Sequence, residues 1–428
     1  MPSVIVMGGG LAGLATAAAL GSAGFDVDLF EARGFLGGRA TSYPAGPDNA
    51  EIIDNCQHVL LRCCGNLLDL YRRLDVDGDI TFHKEFYFLE PGGRTSVLRA
   101  GSLPKPLHFA QSFLRMSCLS LGDKISLARG LRALERERGR ADLDRISMLS
   151  WLREKKQTAQ AIDRFWRQVL VSAVNEELDK MAAAHGFQVF WLGFLASKES
   201  YEMGIPNVPL AKLYGSDAWK RFPGVRIHLR SAVERLDEFG VLVNGEIRQA
   251  DFYVSSVPFE RLAALAPQLN PPRFEHSPIT GIHLWFDRPV THLPHAVLLD
   301  RTVQWMFNKD GGRYVQLVVS ASRSLLEMPR NEVIELGVRE LGEFCPEVRG
   351  AKLVKAHVVK EVRATFSAAP GLELLRPESR TRFSNVFLAG DWTRSGWPAT
   401  MEGAVRSGYL AAEAVAGTPG KFLVPDIA

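Results

Sequence analysis

The sequence predicts an α/β fold, because a βαβ unit opens the chain and a mixed helical and strand-rich region follows it. Val4-Ile5-Val6-Met7 is a short apolar run that ends in glycines, as a buried parallel strand does. The alanine-rich segment Leu11–Ser22 predicts a helix, with Gly24 as its C-terminal cap. Val27-Asp28-Leu29-Phe30-Glu31 predicts the second strand and completes the unit.

The later part of the chain contains segments with the 3.6-residue period of a helix and segments with the two-residue period of a strand. The pattern over residues 150–195 is helical, and strand-like segments follow it at 225–229, 241–243, 252–254, 282–286, 314–319 and 386–389. A turn is expected at Asn244-Gly245, and a last helix is expected to begin near Met401.

Composition excludes several classes of function. The 428 residues are 46% apolar and 23% charged, which is ordinary for a globular protein, and the net charge of +3 gives no indication of nucleic-acid binding. The five cysteines include no CxxC pair, so we expect no disulfide framework, no metal site and a reducing cytoplasm. No apolar stretch reaches the roughly 18–20 residues that would cross a bilayer.

A glycine-rich turn joins the first strand to the first helix. Gly8-Gly9-Gly10-Leu11-Ala12-Gly13 matches G-x-G-x-x-G, and Glu31 ends the second strand. The glycines permit a tight turn and close approach of a pyrophosphate, while the helix N-terminus supplies N–H donors. An acid at the end of the second strand would accept hydrogen bonds from ribose hydroxyls. These features, all in register, predict a Rossmann-like dinucleotide site.

Two further motifs resemble those of the flavin amine oxidase and phytoene desaturase superfamily. Arg33-Gly34-Phe35-Leu36-Gly37-Gly38-Arg39 is similar to its second phosphate-contacting turn. Phe387-Leu388-Ala389-Gly390-Asp391-Trp392 and Met401-Glu402-Gly403-Ala404-Val405-Arg406-Ser407-Gly408 are similar to its C-terminal FAD-closing motif. The resemblance implies a Rossmann-like FAD-binding domain of the glutathione-reductase or amine-oxidase type. It also implies a discontinuous α+β substrate domain.

The resemblance implies a domain division and a set of cofactor contacts. The FAD domain would comprise residues 1–80, 210–275 and 352–428, and the substrate domain residues 81–209 and 276–351. The implied FAD contacts are Gly8, Gly10, Leu11, Ala12, Gly13, Glu31, Ala32, Arg33, Gly37, Gly38, Arg39, Val233, Gly390, Asp391, Met401, Glu402, Gly403 and Ala404. No cysteine lies near the C-terminal motif, so the FAD is expected to be non-covalent.

Four stretches narrow the resemblance to the hydroxysqualene dehydroxylase family, which makes squalene in hopanoid synthesis. They are residues 54–61, 204–210, 363–366 and 392–398. The implied reaction is the FADH2-dependent reductive removal of an allylic hydroxyl, in which an acid protonates the hydroxyl and hydride reaches the resulting allylic cation. The source of electrons for the flavin, either NAD(P)H or a separate reductase, stays open.

Proton donors and substrate contacts are assigned within that resemblance. His58 is the first choice for the acid, because an ordinary histidine pKa of about 6.5 suits proton transfer near neutrality. Asp54 would orient His58 or replace it, and Tyr201 belongs to a second acid region; a purely structural His58 is the alternative. The expected substrate contacts are Trp392, Trp397, Phe190 and Phe194.

Residues 103–129 mix apolar and basic side chains, as an interfacial helix does, although a cap helix over a substrate would look similar. We therefore expect peripheral contact with the inner face of the cytoplasmic membrane. The rival activities are those of a carotenoid-type desaturase or an amine oxidase. A prenyl-binding escort protein on the same fold is the non-enzymatic rival. Cys63-Cys64 is interpreted as a pair of small buried residues on a helix rather than a redox pair.

Overall fold

The structure is a computed structural model that describes residues 1–45, 51–237 and 240–427. The strands are β1 Ser3–Met7, β2 Asp26–Phe30, β3 Ser42–Ala45, β4 Glu51–Asp54, β5 Leu60–Leu61, β6 Ile80–His83, β7 Phe86–Leu89, β8 Thr95–Leu98, β9 Met203–Pro206, β10 Val225–His228, β11 Val233–Asp237, β12 Gly240–Val243, β13 Glu246–Arg248, β14 Phe252–Ser255, β15 His276–Phe286, β16 His295–Leu298, β17 Trp305–Asp310, β18 Tyr314–Ser320, β19 Leu353–Phe366 and β20 Val386–Leu388.

The α-helices are α1 Leu11–Ser22, α2 Gly65–Leu74, α3 Ala110–Arg115, α4 Leu121–Arg136, α5 Met148–Glu154, α6 Ala159–Ala161, α7 Arg167–Val174, α8 Ala183–Phe190, α9 Leu210–Leu213, α10 Ser216–Trp219, α11 Phe259–Leu265, α12 Arg330–Phe344 and α13 Met401–Ala416. Among the described residues, none of these helices is both long enough and apolar enough to cross a membrane.

The chain divides into two compact units. Unit 1 comprises Met1–Thr81, Gly204–Phe274 and Leu372–Asp426, and unit 2 comprises Phe82–Met203 and Glu275–Gly371 with Ile427. The sequence-based division differs mainly in the last segment, where residues 352–371 were assigned to the FAD domain. Those residues include β19, which pairs along β15 and therefore belongs to the sheet of unit 2.

Unit 1 is built on a five-stranded parallel sheet in the order β10-β2-β1-β14-β20. The α/β class and the opening βαβ unit are confirmed, with α1 at the predicted bounds and Gly24 in the left-handed region at φ 83°. Helix α1 packs on α13 at very short range, because a Cβ on Gly408 would lie 2.3 Å from the Ala12 carbonyl oxygen. The Asn244-Gly245 turn is also confirmed, with φ positive at both residues.

Unit 2 is built on a seven-stranded mixed sheet in the order β19-β15-β18-β17-β16-β7-β8. Helix α12 covers one face, where Ile282 and Leu284 of β15 form a core with Val333 and Leu341 of the helix. Because side chains alternate along a strand, the residues between them occupy the opposite face. Segments 148–195 form helices as expected, with wide π-type turns at Ile162–Trp166 and Trp191–Leu195.

Two local expectations were wrong. Residues 103–129 do not form one helix. Helix α3 ends at Arg115, and α4 begins at Leu121 as a separate helix whose N-terminus is capped by a capping box between Ser120 and Asp123. Cys63 and Cys64 do not lie on a helix either, because Cys64 is the residue that precedes α2.

Candidate functional site

The glycine-rich turn of unit 1 has the geometry of an anion cradle. Gly8 has φ 105°, and a Cβ on Gly13 would lie 2.0 Å from the Gly8 carbonyl oxygen, so only glycine fits at position 13. Helix α1 starts after Gly10 with no side-chain cap and no acid in its first turn, which includes Leu11 and Ala12. Its first N–H groups therefore point at the turn and suit a diphosphate.

Glu31 lies directly after β2, where its carboxylate faces the glycine turn. One oxygen accepts the Gly9 N–H at 2.7 Å and the other accepts the Arg33 N–H at 2.7 Å. A carboxylate has about four lone-pair positions, so acceptor capacity remains for ribose hydroxyls. Ala32 and Arg33 follow at the exposed edge, and Val233 is the buried first residue of β11.

The second glycine turn lies against the first. The Gly37 N–H donates to the Gly9 carbonyl oxygen at 2.8 Å, and a Cβ on Gly38 would lie 3.0 Å from the Cα of Gly10. Both glycines have positive φ, at 97° and 64°. Two motifs that are separated in sequence thus form one continuous backbone surface, and the residues present fit the diphosphate of a dinucleotide.

An ion pair joins the second turn to the C-terminal motif. Arg39 donates to Asp391 over 2.6 Å, and the Asp391 side chain is nearly buried whereas that of Arg39 is 40% exposed. The resemblance assigned both residues to the cofactor, and the structure adds that they contact each other. Among the described residues, the acidic, histidine and cysteine side chains form no cluster of three that could hold a metal ion.

Arg376 holds the C-terminal motif in place and was missed in the sequence. Its side chain is fully buried and donates to the carbonyl oxygens of Asp391, at 3.0 Å, and Thr393, and to Ser395 Oγ at 3.2 Å. No motif marks Arg376, because these three partners follow it by 15 to 19 residues and two of them are backbone oxygens. Burial of its side chain is visible only in the folded chain.

Helix α13 begins at the Met-Glu-Gly-Ala motif. Thr400 caps it by accepting the Gly403 N–H at 3.0 Å, and Met401 and Ala404 lie in the first turn. Glu402 is directed at another helix: its carboxylate accepts the N–H groups of Asn66 and Leu67 at 3.1 and 2.7 Å. Burial raises the pKa of the Glu402 carboxyl, opposed by those hydrogen bonds. Glu402 thus links α13 to the start of α2.

The proposed proton donors occupy different settings. Asp54 is buried and accepts from Ser42 Oγ at 2.6 Å and from the Leu210 N–H at 3.0 Å, so it anchors β4 to the start of α9. His58 is half-buried, with Nδ1 3.2 Å from the Cys56 carbonyl oxygen. Tyr201, in unit 2, donates to the Lys84 carbonyl oxygen at 2.8 Å, and burial raises its pKa. Their catalytic roles stay predictions.

The four aromatic candidates are largely buried. Trp392 donates from Nε1 to the Val257 carbonyl oxygen at 3.0 Å, and Trp397 donates to Asp426 at 3.2 Å, both within unit 1. In unit 2, Phe190 packs on Trp166 with ring centroids 4.5 Å apart, and Phe194 lies 5.6 Å from Phe190. These contacts give all four a packing role, and a further role against substrate stays a prediction.

Comparisons with known proteins agree with this architecture. Residues 11–416 match the family model described as flavin containing amine oxidoreductase. The chain is 27% identical to a ζ-carotene desaturase of Zea mays over 488 aligned residues, which cover 98% of this chain and 84% of the relative. It is 28% identical to a hydroxysqualene dehydroxylase of Rhodopseudomonas palustris over 436 aligned residues, which cover 96% of this chain and 98% of the relative.

A solved oxidoreductase from Methanosarcina mazei superposes with a TM-score of 0.73 at 18% identity, over 96% of this chain and 100% of that one. The Rossmann-like fold with a separate substrate sheet is therefore confirmed. The two glycine turns and the family match together indicate a flavin cofactor. The chain belongs to the flavin containing amine oxidoreductase family.

Proposed function

We propose that this flavin oxidoreductase removes the allylic hydroxyl of hydroxysqualene and yields squalene. The observation that carries the proposal is the match to the Rhodopseudomonas palustris hydroxysqualene dehydroxylase, which covers nearly the whole of both chains. Two plant desaturases have similar sequence identities to this chain, 27% and 26%. In those proteins, however, 16% to 23% of the length lies outside the alignment. The residues quoted for the dehydroxylase resemblance, 54–61 and 392–398 among them, point the same way.

The cofactor in this proposal is non-covalent FAD, held by the two glycine turns, Glu31, and the ion pair between Arg39 and Asp391. Reduced FAD supplies the hydride. In the overall change the C–O bond breaks, the oxygen leaves as water after gaining a proton, a C–H bond forms, and the flavin loses two electrons. The chain itself must provide the proton and an apolar binding surface for thirty carbons.

His58 is the proposed proton donor. Because the Cys56 carbonyl oxygen can only accept, Nδ1 of His58 carries a hydrogen, and Nε2 is the nitrogen that gains and loses the proton. Asp54 contributes by fixing β4, which ends four residues before His58. In this proposal Asp54 is a positioning residue, and Trp392 and Trp397 support the flavin motif and the substrate from within unit 1.

Unit 2 also carries the proposed membrane contact. Large aliphatic side chains are exposed in the segment around α3 and the start of α4; they are Leu103, Leu107, Leu114, Leu121 and Ile125. Basic residues such as Arg115 and Arg129 lie in the same segment. Apolar side chains with nearby positive charge suit the headgroup region of an anionic bilayer, where a squalene-like substrate dissolves.

A single-turnover assay tests the reaction. The flavin of the purified protein is reduced without oxygen, hydroxysqualene is added in detergent, and flavin absorbance and squalene are followed together. We expect one squalene for each flavin reoxidised, whereas the oxidised protein, as control, yields none. Flavin that stays reduced with no squalene formed would refute the proposal.

Assays that start from the oxidised flavin, with a polyene or an amine as substrate, separate the rival activities. A carotenoid-type desaturase, favoured by the Zea mays relative, removes hydrogen from a hydrocarbon and would reduce an oxidised flavin instead. An amine oxidase would also reduce the flavin, with an amine as substrate. A prenyl-binding escort protein would be colourless on purification.

A further inference from the structure

A row of residues crosses the sheet of unit 2 on the face opposite α12. The strand register places His357, His283, Gln316, Phe307 and His295 directly opposite one another on five successive strands, β19, β15, β18, β17 and β16. Most of their sequence neighbours, which lie on the other face, belong to the core with α12. We name these five residues the cross-strand row.

The centre of the cross-strand row holds buried polar atoms that lack a hydrogen-bond partner within the described residues. His283, Gln316 and His295 are each 0% exposed. The atoms without a partner are Gln316 Oε1 and Nε2, His283 Nε2 and His295 Nδ1. Buried polar atoms in native proteins nearly always have a partner, so this concentration on one sheet face points to a ligand or a bound water.

The chemistry of these atoms is that of neutral donors and acceptors. Nε2 of His295 lies 2.9 Å from the Glu85 carbonyl oxygen and must donate to it, so Nδ1 is an acceptor. Gln316 offers one acceptor and two donors, and His283 uses Nδ1 to bond Tyr314 at 2.7 Å. Burial lowers the pKa of His283 to about 3 and that of His295 to about 4, so both rings are uncharged near neutral pH.

The surroundings of the cross-strand row are apolar and aromatic. On one side Trp305 stacks on Phe307 with centroids 5.7 Å apart and meets Phe86 edge-on at 6.2 Å. On the other side Trp285 stacks on Tyr314 at 4.4 Å. A hydrocarbon chain can pack on such side chains, whereas a lone oxygen among them needs the hydrogen bonds that the row supplies.

We propose that Gln316 and His283, which lie directly opposite each other, bind the uncharged hydroxyl of a long-chain isoprenoid, and that His295 extends this polar site. A hydroxyl donates one hydrogen bond and accepts others, which matches the unpaired donors and acceptors of the pair. The site would select an oxygenated isoprenoid over the corresponding hydrocarbon. The inference deepens the proposed function and rests on it for the identity of the alcohol.

The test uses two probes that share one carbon skeleton, hydroxysqualene and squalene. Their dissociation constants are measured with the oxidised holoprotein in the same detergent, by equilibrium partition, so that no turnover occurs. Wild type is expected to bind hydroxysqualene about tenfold or more tightly than squalene, as a site built for a hydroxyl should. Equal affinities for the two probes would overturn the proposal without any variant.

Gln316→Met is the decisive variant, because methionine has a similar length and volume but offers no strong hydrogen bond. Hydroxysqualene affinity is expected to fall about tenfold, with squalene affinity unchanged. Ser277→Ala is the matched control: Ser277 is also buried with an unpaired Oγ, and it lies on β15 about 20 Å from His283. The control should leave both affinities unchanged.

The outcomes show whether the polar atoms of the cross-strand row bind an isoprenoid hydroxyl or only a water molecule. If the polar atoms serve only a bound water, Gln316→Met will change the melting temperature but not the preference for the alcohol, and the proposal fails. Equal weakening of both probes by Gln316→Met, or an equal effect of Ser277→Ala, would also overturn it. Because binding is measured without a reductant, a retained preference together with a failed single-turnover assay would contradict the reaction alone.

Discussion

Each glycine turn of the flavin site in unit 1 is formed by consecutive residues, whereas the polar atoms of unit 2 come from single residues on separate strands. Gly8 to Gly13 and Gly37 to Arg39 form short motifs, because a diphosphate contacts consecutive backbone groups and needs glycines there for close approach. Gln316 and His283 are brought together only by the pairing of β18 with β15. Motifs therefore reveal the cofactor site, and strand register is needed to find the polar site of unit 2.

The largest expected effect follows from Gly13→Ala in unit 1. The added Cβ would lie 2.0 Å from the Gly8 carbonyl oxygen, so the turn must move. We expect flavin affinity to fall by about a hundredfold, measured as flavin absorbance per protein after desalting. Gly78→Ala is the control, since nothing lies within 4 Å of its added Cβ. A yellow, stoichiometric Gly13→Ala protein would contradict the assigned cradle.

A residue outside every motif should matter nearly as much. Arg376→Met removes a buried guanidinium that bonds the backbone of Asp391 and Thr393, and it should lower the free energy of unfolding by about 3 kcal/mol in urea titrations. Arg394→Met breaks an exposed pair with Glu378 and should change that free energy by about 0.5 kcal/mol or less. Equal effects of the two substitutions would remove Arg376 from its positioning role.

The proposed membrane contact predicts that the exposed leucines of the two units differ in their effect on vesicle binding. Leu107, Leu114 and Leu121 of unit 2 replaced together by serine should weaken flotation with anionic vesicles about tenfold, because buried apolar area drives interfacial binding. Leu374 and Leu375 of unit 1 are exposed to a similar extent and serve as the control pair. Loss of flotation in the control, or none in the triple variant, would argue against the segment around α3 as the contact.

The smallest effect concerns pH. The pKa of Glu402 is raised by burial, so the stability that its carboxyl contributes is present below the unfolded value near 4.5 and is lost as pH rises through the folded value. Wild type should therefore lose stability relative to Glu402→Gln as the pH increases above 4.5, measured as the free energy of unfolding in urea titrations. An advantage of wild type that grows with pH would contradict the raised pKa.

Local signals account for what could be predicted from the sequence. The strand, glycine turn and helix of the opening unit depend on adjacent residues, and so does the start of α13, and each was found at its predicted place. The boundary near residue 352 could not be found, because β19 is assigned to unit 2 by its pairing with β15. The break between α3 and α4 depends on the capping box at Ser120, which the apolar and basic composition of residues 103–129 hides.

The predictable part of the site consists of its short local motifs, namely the two glycine turns and the start of α13. The contact between Gly38 and Gly10, the ion pair of Arg39 with Asp391 and the burial of Arg376 all join distant segments, so composition and spacing do not reveal them. The unpaired atoms of Gln316 and His283 carry no motif at all. The role that we propose for them rests on the sheet face that they share.

The most direct test of the proposed chemistry is the mass of the product formed in D2O by the anaerobically reduced protein. Reduced flavin exchanges its transferable hydrogen with solvent, so reductive removal of the hydroxyl predicts squalene that carries one deuterium for each flavin reoxidised. A polyene formed by loss of water, without deuterium and with the flavin still reduced, would contradict the account.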